Sequence, residues 1–149
     1  MGLRGQPDVW LWSATHIVLV YGPPGAGKTT HVQNTRAPGD IVIDYDRIAQ
    51  ALGSDVSHRH SDPIHHAALA ARNALLVALR KGQLPAERAW IVSANPNAPA
   101  MFPHHEAVLI DPGRDEVLAQ AIAAGRPDDW STLVDDWYAA TAGVPSRSW

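Results

Sequence analysis

The residues Gly22-Pro23-Pro24-Gly25-Ala26-Gly27-Lys28-Thr29 follow directly on the apolar run Ile17-Val18-Leu19-Val20-Tyr21. A continuous run rich in β-branched residues, without polar alternation, is the pattern of a strand buried on both faces of a parallel sheet. Its glycines let backbone N–H groups close around phosphate oxygens, an approach that side chains would block. The spacing Gly-x-x-x-x-Gly-Lys-Thr matches the phosphate-binding loop in full. A helix opening at about Lys28 adds the positive end of its dipole. In such a loop the lysine reaches the β- and γ-phosphates and the hydroxyl ligates magnesium. Gly22, Gly25, Ala26, Gly27, Lys28, Thr29 and Thr30 are therefore the expected nucleotide-binding set, with Thr29 the expected ligand for Mg²⁺. The chain reads as a nucleoside-triphosphate binder using ATP and Mg²⁺.

The rest of the chain alternates strands with helices. Ile41-Val42-Ile43 reads as a second buried strand, and Asp46 to Leu52 as a short helix stopped by Gly53. Residues 54 to 62 are polar and irregular, a candidate substrate loop. A long helix is expected from Asp62 as N-cap, with Pro63 in its first turn, to Gly82. Trp90-Ile91-Val92 and Val108-Leu109-Ile110 read as strands three and four. A helix from Arg114 to about Ala124 follows, then a last helix from near Asp128. In that helix Trp130, Leu133, Val134 and Trp137 share one face. The pattern implies a single α/β domain over 1–149, a parallel sheet of four or five strands with helices on both faces. The expected strand order is 2-3-1-4. Residues 1–15, with Val9-Trp10-Leu11-Trp12, read as an N-terminal arm or edge strand.

Composition narrows the function classes. With 12 basic against 15 acidic residues and a net charge of -3, the chain lacks the broad basic surface of a general nucleic-acid binder. The absence of cysteine excludes disulfides, thiolate metal sites and cysteine nucleophiles. No apolar run approaches the roughly twenty residues needed to cross a bilayer. The N-terminus carries neither a signal-peptide core nor a myristoylation motif. A cytoplasmic protein, from a phage or a bacterial host, is the expectation.

The 149 residues leave little room for the extra helical domain of an AAA-type ATPase. No apolar strand ends in Asp-Glu, and no Asn-Lys-x-Asp base-reading motif is present. A compact phosphotransferase is what remains. Three blocks, Val-Tyr-Gly-Pro-Pro-Gly-Ala-Gly-Lys-Thr-Thr, Ile-Val-Ile-Asp-Tyr-Asp-Arg-Ile and Val-Leu-Ile-Asp-Pro, run in the order and spacing of a known family. Over residues 16 to 140 the chain resembles the kinase domain of bacteriophage 5′-polynucleotide kinase and its small phage relatives. That resemblance implies transfer of the ATP γ-phosphate to a hydroxyl of a nucleic acid or nucleotide. It also implies an aspartate general base just after the second strand. Matching Ile43-Asp44-Tyr45-Asp46 to the family's Ile-Asn-Arg-Asp places the base at Asp46. The family's arginine three residues beyond its base instead pairs Asp44 with Arg47, so both aspartates stay candidates. Where the family has Ser-Asp-Thr-Asn after strand three, this chain has Ser93-Ala94-Asn95 and lacks that carboxylate. A nucleoside or small-metabolite kinase, or a nucleotide-binding NTPase module without an acceptor, are the alternatives.

Phosphoryl transfer needs positive charge over the equatorial oxygens, often from a closing lid. Arg114 and Arg126 bracket the segment 114–129 where the family keeps its lid, and both are catalytic candidates. Asp111 ends a run resembling a Walker-B strand, or serves as a turn carboxylate before Pro112-Gly113. His58, His60, His65, His66, His104 and His105 form two clusters. Adjacent histidines on a helix point to different sides, so ligand spacing for zinc is poor. The loop His58-Arg59-His60 can instead face phosphate or substrate. Trp90, Trp130 and Trp137 read as packing residues.

Overall fold

The computed structural model describes residues 15–142. The N-terminal arm lies outside them except for Thr15, whose hydroxyl donates to the Ala86 carbonyl at 2.8 Å. Four strands form one parallel sheet: β1 (His16–Tyr21), β2 (Ile41–Asp44), β3 (Arg88–Ser93) and β4 (Glu106–Leu109). Their order is β2-β3-β1-β4, as the α/β reading expects. Among the described residues six helices connect and cover them: α1 (Lys28–Thr35), α2 (Tyr45–Ala51), α3 (Asp62–Arg80), α4 (Ala98–Met101), α5 (Arg114–Ala123) and α6 (Trp130–Ala142).

β1 alternates its side chains between two cores, as a strand with both faces covered must. Ile17, Leu19 and Tyr21 join Ile43, Leu79, Ile91 and Ala98 on the face covered by α2, α3 and α4. Val18 and Val20 point the other way, against Val32 of α1 and Trp90. A third cluster, Val117, Ala121, Trp130 and Val134, joins α5 to α6 and includes Ala26 of the phosphate loop. The last helix is thus packed directly on the loop.

Several boundaries differ from the sequence reading, and four of them have a clear local reason. α2 starts at Tyr45 because the Asp44 carboxylate caps it, accepting from the Asp46 N–H at 3.1 Å. α3 is preceded by Ser61 at the N-cap, so Asp62 is its first helical residue. α6 begins at Trp130, whose N–H bonds the Pro127 carbonyl at 2.9 Å. β4 starts at Glu106, two positions earlier than its β-branched residues suggest, because Val18 pairs with Glu106 in the ladder. Ile110 still bonds the Tyr21 carbonyl at 2.8 Å. The one-turn helix α4 has no apolar period and was not legible.

Candidate active site

The phosphate loop leaves β1 at the centre of the sheet and enters α1. Two of its glycines are dictated by space and conformation. A Cβ on Gly22 would lie 2.1 Å from the Ile110 carbonyl oxygen, inside any contact distance. Gly25 has φ of +81° and would meet the Trp130 indole nitrogen at 3.2 Å. Lys28 is buried, its ammonium donating to the carbonyls of Gly22 at 3.0 Å and Pro23 at 2.7 Å. Burial pulls its pKa down to about 8, against the opposing attraction of Asp44 and Asp46.

The two competing aspartates have separate partners. Asp44 is buried at the end of β2, where one carboxylate oxygen accepts from the Thr29 hydroxyl at 3.0 Å and the other caps α2. Asp46 sits on the first turn of α2, half exposed, 2.8 Å from His60 Nε2. The His60 side chain is fully buried, and its Nδ1 lies 2.6 Å from the Ser54 hydroxyl. Burial pushes the Asp46 pKa up, the His60 hydrogen bond works the other way, and the neighbouring Asp44 charge adds to the rise. A chain Ser54, His60, Asp46 therefore orients a carboxylate at the mouth of the phosphate loop.

Lys28, Thr29, Thr30, Asp44 and Asp46 line one cavity of about 620 Å³, together with His58, Arg59, Arg72, Ser93, Arg126 and Trp130. Arg126 closes one side. It donates to the Ser57 hydroxyl at 2.7 Å, lies 2.8 Å from His58 Nδ1, and stacks 4.9 Å from the Trp130 ring. His58 packs edge-on to the same indole at 4.6 Å. Burial and the Arg126 and Arg59 charges lower the His58 pKa. Arg59, with φ of +57°, is the described non-glycine residue in the left-handed region, and its guanidinium pairs with Asp129 at 2.7 Å. The loop 54–62 and the turn after α5 are thus latched together over the cavity.

Other expected residues lie elsewhere. Arg114 bonds Asp135 of α6 at 2.7 Å and does not line the cavity. Asp111 accepts from Tyr138 at 2.5 Å and from the Gly113 N–H at 3.0 Å, the turn-carboxylate arrangement. His65 meets Tyr45, and His105 accepts from the Ile17 N–H at 3.0 Å. No group of three or more metal-ligand side chains converges among the described residues. No described helix is long and apolar enough to cross a membrane. His60 as the partner of Asp46, and Arg72 in the cavity wall, were not distinguished in the sequence. Both sit in segments whose side-chain directions depend on tertiary packing.

No protein-family model and no curated protein matches the chain. Among solved structures it is similar to the tunicamycin resistance protein of Deinococcus radiodurans. The two are 25% identical over 87% of this chain and 82% of that one, with a TM-score of 0.53. With the loop and the strand order, this likeness gives the chain a P-loop kinase-like α/β fold.

Proposed function

We propose that the protein is an ATP-dependent kinase that transfers the γ-phosphate to a hydroxyl of a small acceptor, of nucleoside or nucleotide size. The observation that carries this reading is a carboxylate, Asp46, oriented by a buried histidine in the same cavity as Lys28 and Thr29. A module that only binds nucleotide needs the loop and no positioned base in the same cavity.

The donor set fits a hard divalent cation, since the Thr29 hydroxyl and the buried Asp44 carboxylate are oxygen ligands already in register. Magnesium, held there with ATP, would neutralise part of the phosphate charge. The chain's own residues do the rest. Lys28 leaves the loop carbonyls for the phosphates, which match its charge better than neutral oxygens do. Asp46 takes the proton from the attacking hydroxyl as the new O–P bond forms and the bond from the γ-phosphorus to the β–γ bridging oxygen breaks, releasing ADP. His60 holds the carboxylate in place while the proton moves. Arg126, on the cavity wall beside Trp130, supplies positive charge to the transferring group. The latched segments 54–62 and 124–130 limit the entry of water, which would otherwise take the phosphoryl group.

A bounded cavity, the excess of acidic over basic residues and the likeness to a protein named for resistance to tunicamycin favour a small acceptor. The second reading, a polynucleotide 5′-hydroxyl, draws on the resemblance to the phage enzymes. Incubation with γ-labelled ATP and three acceptors (a nucleoside, a nucleotide and a 5′-hydroxyl oligonucleotide) separates them. Label on nucleoside or nucleotide supports the first reading and label on oligonucleotide alone the second. ATP hydrolysis with no labelled acceptor overturns both in favour of an NTPase module.

A further inference from the structure

The acceptor side of the cavity carries a cation that the transfer chemistry above leaves unused. Arg72, in the middle of α3, lines the same cavity as Asp46 and Ser93. Its guanidinium carbon lies 5.4 Å from the centroid of the Phe102 ring, so one face of the planar group is covered. Its Nε is buried and has no hydrogen-bond partner among the described residues. Its one hydrogen bond there is long, 3.5 Å from Nη2 to the Asn73 side-chain oxygen.

The other arginines near the cavity are occupied. Arg59 is paired with Asp129, and Arg126 is held by Ser57 and His58. Among the described residues no carboxylate pairs with Arg72. Its charge is felt by Tyr45, the neighbour of Asp46, where it opposes the rise that burial imposes on the phenol pKa. A stacked guanidinium without a carboxylate partner, on the wall of the cavity that holds the base, is organised to take a planar or tetrahedral oxyanion on its Nη groups through parallel hydrogen bonds.

We infer that Arg72 receives an anionic oxyacid group of the acceptor. The substrate is then a hydroxyl compound that also carries a phosphate or a carboxylate, rather than a neutral alcohol. This inference rests on the phosphotransfer reading for the word acceptor, but the anion subsite itself can be tested without turnover.

The test uses probes that differ by one charged group: adenosine against adenosine 3′-monophosphate, glycerol against glycerol 3-phosphate, and glycerol against glycerate. Each is titrated calorimetrically into the full chain, with and without saturating ADP and magnesium. At least one anionic probe should bind about tenfold or more tightly than its neutral partner, the size expected for a bidentate charged contact. The phosphate and carboxylate arms identify which group is preferred. Arg72→Gln should remove the difference while ADP affinity stays unchanged, which also reports that the variant is folded. Arg72→Lys, which keeps the charge and loses the fork, should retain only part of it, and Arg80→Gln, exposed on the same helix, should retain all of it. An anion preference that survives Arg72→Gln, or no preference in any pair, overturns the inference. Failure of ADP to bind, or of ATP to label any acceptor, would instead sink the phosphotransfer reading, and the nucleotide-free titrations would still decide the subsite.

Discussion

His60 Nε2 lies 2.8 Å from Asp46 Oδ1, and the imidazole that makes this contact is fully buried. The pair consists of a half-exposed carboxylate and a hidden ring, so the ring's orientation governs the carboxylate's. His60→Ala should therefore reduce turnover more than it weakens ATP binding. It should also move the acid limb of the pH–rate profile. Burial already raises the Asp46 pKa, and the His60 bond is a force pulling it down. Removing the bond leaves the rise less opposed, so the limb should move to higher pH. An unmoved limb would deny His60 its positioning role.

Asp46→Asn should lower kcat about a hundredfold or more, the cost of losing a positioned general base, with ATP affinity little changed. Asp44→Asn should cost less in kcat and should raise the magnesium concentration needed for half-maximal rate, because Asp44 sits on Thr29. Steady-state kinetics across a magnesium series checks both, and the opposite ranking would make Asp44 the base.

Lys28→Ala should abolish transfer and leave the fold intact. The free protein's lowered Lys28 pKa of about 8 adds a second signature. At pH 9 much of this side chain is neutral without nucleotide, and the arriving phosphates restore its charge. Nucleotide binding at pH 9 should thus take up a proton, measurable by calorimetry in buffers of different ionisation enthalpy. Lys28→Met should not show that uptake.

Arg126→Ala should reduce kcat more than it raises the Michaelis constant for ATP, since charge at this position acts on the transferring group. A pure rise in the Michaelis constant with kcat unchanged would assign Arg126 to ground-state binding.

Gly22→Ala should unfold or strongly destabilise the protein, by about 3 kcal/mol or more, the upper range for overpacking a rigid site. The added methyl group would sit 2.1 Å from a backbone oxygen of the chain segment after β4, which no side-chain rotation can relieve. Thermal denaturation of the nucleotide-free protein checks it, and a variant as stable as the native protein would refute the contact.

Much of this architecture is legible in the residues because it is local. Ile17 to Tyr21 declare a doubly covered strand, and Gly22 to Thr29 declare the loop. The order of the remaining apolar runs implies the sheet. The competition between Asp44 and Asp46 was not resolvable, since two residues apart on one chain say nothing about distant partners. Folding gives one of them Thr29 and the other His60. His60 itself lay hidden in a polar, aperiodic segment, where nothing in the spacing announces that one imidazole turns inward. Trp130 read correctly as a packing residue, but not as one that packs on the phosphate loop, because that contact spans more than a hundred residues of sequence.

The strand order sets a division of labour over evolutionary time. β1, which launches the phosphate loop, is held on both sides by β3 and β4, whereas β2, which presents Asp44 and leads into Asp46, is an edge strand of four residues. The Asp44 carboxylate, bonded to Thr29, ties the end of that edge to the centre. Under the kinase reading, a lineage built on this scaffold exchanges one acceptor for another by redrawing α2 and the loop behind it, while β1, Thr29 and Asp44 keep the same phosphate donor.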